Sequence, residues 1–173
     1  MTYPSSVRTK ERNRGFALLI AVIFMSVMLA IGLGLGAMSY KQEVLASSAV
    51  ESQYAFYTAD AALECALYAD QQLDLFAYPQ TPPSSAPTMS CDGSGPYATP
   101  TFDYNNVIKK EFIVETRLSF DGGTHCADVT VYKPSSASNP TYIFSQGYNV
   151  SCAVVTSPPP GTRIVSRGLS ASY

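Results

Sequence analysis

The sequence predicts an α+β chain, with one long amino-terminal helix followed by a four-stranded antiparallel sheet that packs on its second half. Two observations carry this. Residues 16–78 contain no proline, and their only glycines are Gly32, Gly34 and Gly36. From residue 110 onward, four segments rich in β-branched and aromatic residues are separated by turn-forming clusters.

The 173 residues carry a net charge of −2, with 14% charged residues, low for a water-soluble domain. If about forty residues serve a membrane, about 130 remain, enough for one small domain. The positive residues cluster at the start, where Arg8, Lys10, Arg12 and Arg14 face only Glu11. No basic patch suited to nucleic acid follows, so no direct nucleic-acid binding is expected. Four cysteines without C-x-x-C spacing and the single histidine, His125, argue against a metal enzyme or a His-based hydrolase. No catalytic residue, metal or cofactor is expected.

Residues 16–40 form an uncharged run of 25 residues. As a helix it extends roughly 37 Å and spans a hydrocarbon core of about 30 Å with some tilt. A secretory apolar region is shorter, about 7–15 residues. The basic flank places the start in the cytoplasm and the remainder outside. Ala37-Met38-Ser39 has the small-x-small pattern of a signal-peptidase site. Removal of the whole segment is therefore one alternative, and an uncut anchor is another. Each interior glycine costs a helix about 1 kcal/mol relative to alanine, so Gly32, Gly34 and Gly36 mark a weak stretch. Close helix–helix packing in the membrane is the plainer explanation for them.

Residues 41–78 continue the helix. Ala55, Ala59, Ala62, Leu63, Ala66 and Leu73 recur at three- and four-residue spacing and give one apolar face. Pro79, Pro82 and Pro83 are expected to end it. Residues 79–109 read as an irregular connection, with Pro, Ser, Thr and Gly concentrated over 79–104. The sheet occupies residues 110–173. Its strands are expected over 110–120, 126–133, 141–155 and 162–173, with the "DGGT" stretch as a hairpin turn. Short connections favour an antiparallel meander, one face on the helix and the other toward solvent.

If the sheet lies outside the cytoplasm, Cys65, Cys91, Cys126 and Cys152 stand in an oxidising space, where an even number suggests two disulfides. Four cysteines allow three pairings. A turn near Ala137 sets residues 126 and 148 opposite each other and brings Cys152 near Cys126. Cys91, just beyond the helix, is free to fold back on Cys65. This favours Cys65–Cys91 with Cys126–Cys152. His125 and Cys126, adjacent on one strand, point to opposite faces and do not make a dyad. Asp92, Asp121 and Asp128 read as turn residues rather than a calcium loop.

The junction "RNRGFALLIAVIF" resembles the class III signal of type IV pilins and pseudopilins. The stretch "SQYAFYTADAALECAL" is similar to the corresponding segment of PilX-type minor pilins and of the K-type pseudopilin of type II secretion. The similarity covers about residues 12–70, and the remainder follows the family only in layout. It implies a type IV pilin fold and a leader, residues 1–15, that prepilin peptidase removes after Gly15. The new amino-terminal Phe16 would be N-methylated, and the helix would be kept as anchor and later as filament core. The implied partners are other pilin or pseudopilin subunits, contacted through the amino-terminal helix, together with the peptidase and an inner-membrane assembly platform. The implied location is a single pass of the inner membrane with the sheet outside, then a surface filament. In that family Gly32, Gly34 and Gly36 would lie in a segment able to unwind on assembly. The fifth mature residue is usually a glutamate that pairs with a neighbouring amino terminus. Here it is Ile20, which implies a minor, tip or assembly-priming subunit. A major pilin and a non-polymerising, membrane-anchored binding domain are the alternatives.

Overall fold

The structure is a computed structural model that describes residues 14–79, 81, 83–104, 111–136 and 138–173. The expected leader lies outside the described residues except for Arg14 and Gly15. The chain divides into two units, Met1–Ser47 and Ser48–Tyr173. Helix α1 (Arg14–Gln71) begins in the first and ends in the second.

In the first unit α1 is continuous through Gly32, Gly34 and Gly36, and every described side chain from residue 15 to residue 47 is exposed. This stretch makes the helix long and apolar enough to cross a membrane, with a mean hydropathy of 2.8 over its most apolar window. Without a membrane or a neighbour such a surface is unstable in water, so its exposure is itself a statement about its surroundings.

In the second unit the alanine face of α1 packs on a sheet. Ala55, Ala59, Ala62 and Ala66 are fully buried and Ala69 nearly so. The sheet contains β1 (Thr101–Asp103), β2 (Glu111–Phe120), β3 (His125–Pro134), β4 (Tyr142–Tyr148) and β5 (Ser166–Ser172), in that spatial order and all antiparallel. A 3-10 turn, Asp121–Gly123, closes the β2–β3 hairpin at the "DGGT" signal. Phe112, Val114, Thr116, Leu118 and Phe120 are buried on the helix side of β2, as their alternation predicts. Across the register they meet Ala127, Val129 and Val131 of β3, and Val131 meets Ile143 of β4.

Among the described residues the sheet therefore has five strands, one more than expected. β1 lies in the stretch read as irregular. It has three residues, too few for periodicity to register, and Pro100 precedes it, as an edge strand tolerates. The helix also ends earlier, at Gln71 rather than Tyr78. Asp74 adopts φ 50°, a left-handed turn that aspartate accepts, and Leu75 N–H reaches back to the Ala69 carbonyl at 3.0 Å. The chain has left the helix before any proline is reached. Leu73, assigned to the apolar face, is consequently exposed, and Phe76 is buried in its place.

The strand expected over 141–155 stops at Tyr148. Asn149 bonds to Val165 through both its backbone N–H and its side-chain carbonyl oxygen, at 3.1 and 2.8 Å. A short helix, α2 (Cys152–Thr156), follows. Val154 and Val155 favour a strand by propensity, but tertiary ties override them, including the Cys126–Cys152 bridge. The last strand starts at Ser166 rather than Thr162. Thr162 is held in a turn to Pro159, and Arg163 turns to Ser48 at 2.9 Å and Glu51 at 3.6 Å.

One glycine sets the separation of helix and sheet. A side chain on Gly147, in β4, would run into the Ala55 carbonyl oxygen and the Ala59 backbone nitrogen. Small residues on both sides, Gly147 against Ala55 and Ala59, let β4 approach the helix backbone directly.

Candidate functional site

In the first unit the residues singled out by sequence lie along α1. Gly15 and Phe16 stand in its first turn, where Phe16 is 69% exposed. A Cβ on Gly15 would have nothing within 4 Å among the described residues, so packing against them gives no reason for glycine there. Gly32, Gly34 and Gly36 are open in the same way, and Gly32 and Gly36 lie four apart, on one helix face. Ile20 is exposed on the apolar run, and the next carboxylate along the chain is Glu43, about 35 Å further at the helical rise.

In the second unit both favoured disulfides are present. Cys65 joins Cys91 and Cys126 joins Cys152, with Cα separations of 6.1 and 4.8 Å. Residue 126 pairs with residue 148 in the register, as a turn near Ala137 requires, although Ala137 itself is outside the described residues. The second bridge fixes α2 on the solvent-side face of the sheet, where Cys126 and Cys152 are both buried.

An ion-pair network lies beside that bridge. Arg117 donates to Asp128 through Nε at 2.6 Å and Nη2 at 2.8 Å, and to Thr156 of α2 through Nη1 at 2.9 Å. Tyr148 donates its hydroxyl to the same carboxylate at 3.0 Å. Asp128, read as a turn residue, is instead a strand residue on this network, because its cross-strand partner is Arg117. Asp92 and Asp121 are turn residues, both at φ 52°. His125 is half-buried, stacked on Tyr54 at 5.2 Å and bonded to Asp121 through Nδ1 at 2.8 Å, while Cys126 faces the other way.

A second network closes the end of α1. Asp70 is buried and accepts from Lys133 at 2.6 Å and from the Tyr173 hydroxyl, tying helix, β3 and the residue after β5 together. Sequence reading missed Asp70, Arg117 and Gly147. Only Gly147 carried a signal, as a lone glycine inside a strand pattern.

Both tyrosines of these networks resist ionisation. Burial pushes the Tyr148 phenol from 10.0 up to about 12, with Asp128's charge and hydrogen bond adding to it. Burial, then Asp70, pushes Tyr173 up as well. The Arg117 guanidinium is raised chiefly by its hydrogen bonds to Asp128, against its own desolvation. A phenol whose folded pKa exceeds its unfolded value stabilises fully below the unfolded pKa. That contribution is lost as pH rises through the folded value, here between 10.0 and about 12 for Tyr148. We expect urea midpoints to fall across this window, and to fall less steeply in Tyr148→Phe. Identical slopes in the two proteins would refute the assignment.

Comparison with protein-family models, with curated proteins and with solved structures finds no match to this chain.

Proposed function

We propose that the chain is a structural subunit of a type IV pilin-like filament, a pilus or a type II-secretion-like pseudopilus. It is made as a precursor, cut after Gly15, and held in the inner membrane by the apolar run until assembly. The observation that carries this reading is the Gly15–Phe16 junction. A glycine with open space around it separates a basic segment from a 25-residue uncharged run. Nothing among the described residues calls for glycine there, whereas a peptidase pocket that admits only a very small side chain does. The open glycines at 32, 34 and 36 fit a surface kept for neighbouring helices. The helix packed on a disulfide-bridged antiparallel sheet fits an exported headpiece. A non-polymerising anchored domain accounts for the apolar run but not for Gly15.

Ile20 points to a minor role. In a filament core the amino-terminal ammonium of a subunit is tolerable only when paired. Ile20 cannot supply that pair, and Glu43 is about 35 Å further along the helix. A subunit at the tip has no earlier subunit whose ammonium it must neutralise, so it does not need the acid. Quantitative proteomics of sheared filaments should find this chain well below the principal subunit. If it is the most abundant pilin, the tip or priming role is wrong and apolar packing through Ile20 carries assembly.

A further inference from the structure

The face of the sheet turned away from α1 holds a groove of about 460 Å³, within the range of small-ligand sites. It is separate from every surface used above for processing or assembly. Its floor is a cross-strand row running from Thr101 to Glu115, Thr130 and Phe144 over four strands. Gln146 stands in the next row, opposite Asp128. One wall is the segment at Ala98 and Thr99. It is held to β2 by Tyr97 N–H donating to the Arg117 carbonyl at 2.7 Å and by the bridge between Pro96 and Leu118.

Two features select a ligand class. The first is charge. Among the described residues, the groove's charged lining residues are Glu115, Arg117 and Asp128. Arg117 and Asp128 neutralise each other through two hydrogen bonds. Glu115 is left as the net charge, held lightly by Thr101 at 3.4 Å. An anion is therefore disfavoured, and the hydroxyls, carboxylate and amide around the floor disfavour an apolar ligand. The second is an exposed aromatic ring. Phe144 is 42% exposed, and its ring lies over Gly168 of the neighbouring strand. A Cβ at Gly168 would come within 3.1 and 3.2 Å of the ring atoms, so the glycine lets the ring lie down on the sheet. An exposed aromatic ring next to the Thr130 hydroxyl and the Gln146 amide, with the Glu115 carboxylate two strands away, matches a disaccharide-sized ligand with a C–H face at one end and hydroxyls along its rim.

We infer that this groove binds a neutral saccharide. The sugar's C–H face stacks on Phe144, and Glu115, Gln146 and Thr130 take its hydroxyls. The test uses the full chain in phospholipid nanodiscs free of sugar detergents, titrated with cellobiose, lactose and N,N′-diacetylchitobiose. Saturation-transfer NMR and calorimetry provide the readouts. At least one disaccharide should bind in the millimolar range or tighter. Phe144→Ala should weaken it by about tenfold or more. Glu115→Gln should weaken it too, and Gly168→Ala should do so by tilting the ring without touching the sugar. Circular dichroism of each variant separates loss of the site from loss of the fold. Absence of binding by all three sugars in the folded wild-type chain overturns the inference, as does binding indifferent to Phe144→Ala in a folded variant. Binding of trilysine in place of the sugars, lost in Glu115→Gln, also overturns it and identifies a cation–π site for basic peptides.

Discussion

Replacing Gly147 by valine should unfold the sheet-bearing unit or leave it barely stable. The new Cβ would meet backbone atoms of Ala55 and Ala59, which cannot rotate aside as a side chain can. Overpacking in cores commonly costs about 1–3 kcal/mol and more where the obstacle is rigid. Set against a typical net stability of about 5–15 kcal/mol, that is a large fraction. Gly147→Ala should give a smaller loss of the same sign. Urea unfolding followed by far-ultraviolet circular dichroism measures both. A wild-type midpoint in Gly147→Val would mean that helix and sheet do not approach as closely as they do here.

Replacing Gly15 by valine or glutamate should abolish conversion of precursor to mature chain, and with it entry into filaments. The described residues predict no structural penalty, because a Cβ at Gly15 has open space among them and valine or glutamate is accepted in a helix at small cost. The variant should therefore accumulate in the membrane at the precursor mass, with both disulfides formed. Co-expression with and without prepilin peptidase, read by electrophoretic shift, checks this. A variant that still shortens by the mass of residues 1–15 would show that the glycine is not what the peptidase reads.

The elements legible in the sequence were those with long, regular patterns. The helix, the alternation of β2 and the "DGGT" hairpin follow from local periodicity and turn chemistry, which act over a few residues. The Cys126–Cys152 pairing followed from strand register, since residues 126 and 148 face each other across one hairpin, and Cys65–Cys91 from the place of Cys91 just beyond the helix. What was not legible depends on contacts between distant residues. β1 exists because Thr101–Asp103 finds an edge at Ile113–Glu115, and three residues have no period of their own. The helix stop at Gln71 is set by the left-handed turn at Asp74, which aspartate permits but does not announce. α2 exists against the strand preference of Val154 and Val155, because Cys152 is bridged to Cys126 and Thr156 meets Arg117. Of the candidate site, Gly15, Phe16 and Ile20 were read from the resemblance to a pilin signal, and the three glycines of the apolar run from their cost in a helix together with that resemblance. The Arg117–Asp128–Tyr148 and Asp70–Lys133–Tyr173 networks join strands far apart in sequence, and no local motif marks either.

The central proposal is that the apolar run is both processed and kept. Mass spectrometry of the amino terminus of the membrane-bound protein tests it most directly. A mature chain beginning at N-methylated Phe16, with the apolar run retained, is the expected result. A chain that keeps Met1 would contradict processing and leave a plain anchor, and a chain beginning beyond Ser39 would make the apolar run a discarded secretion signal.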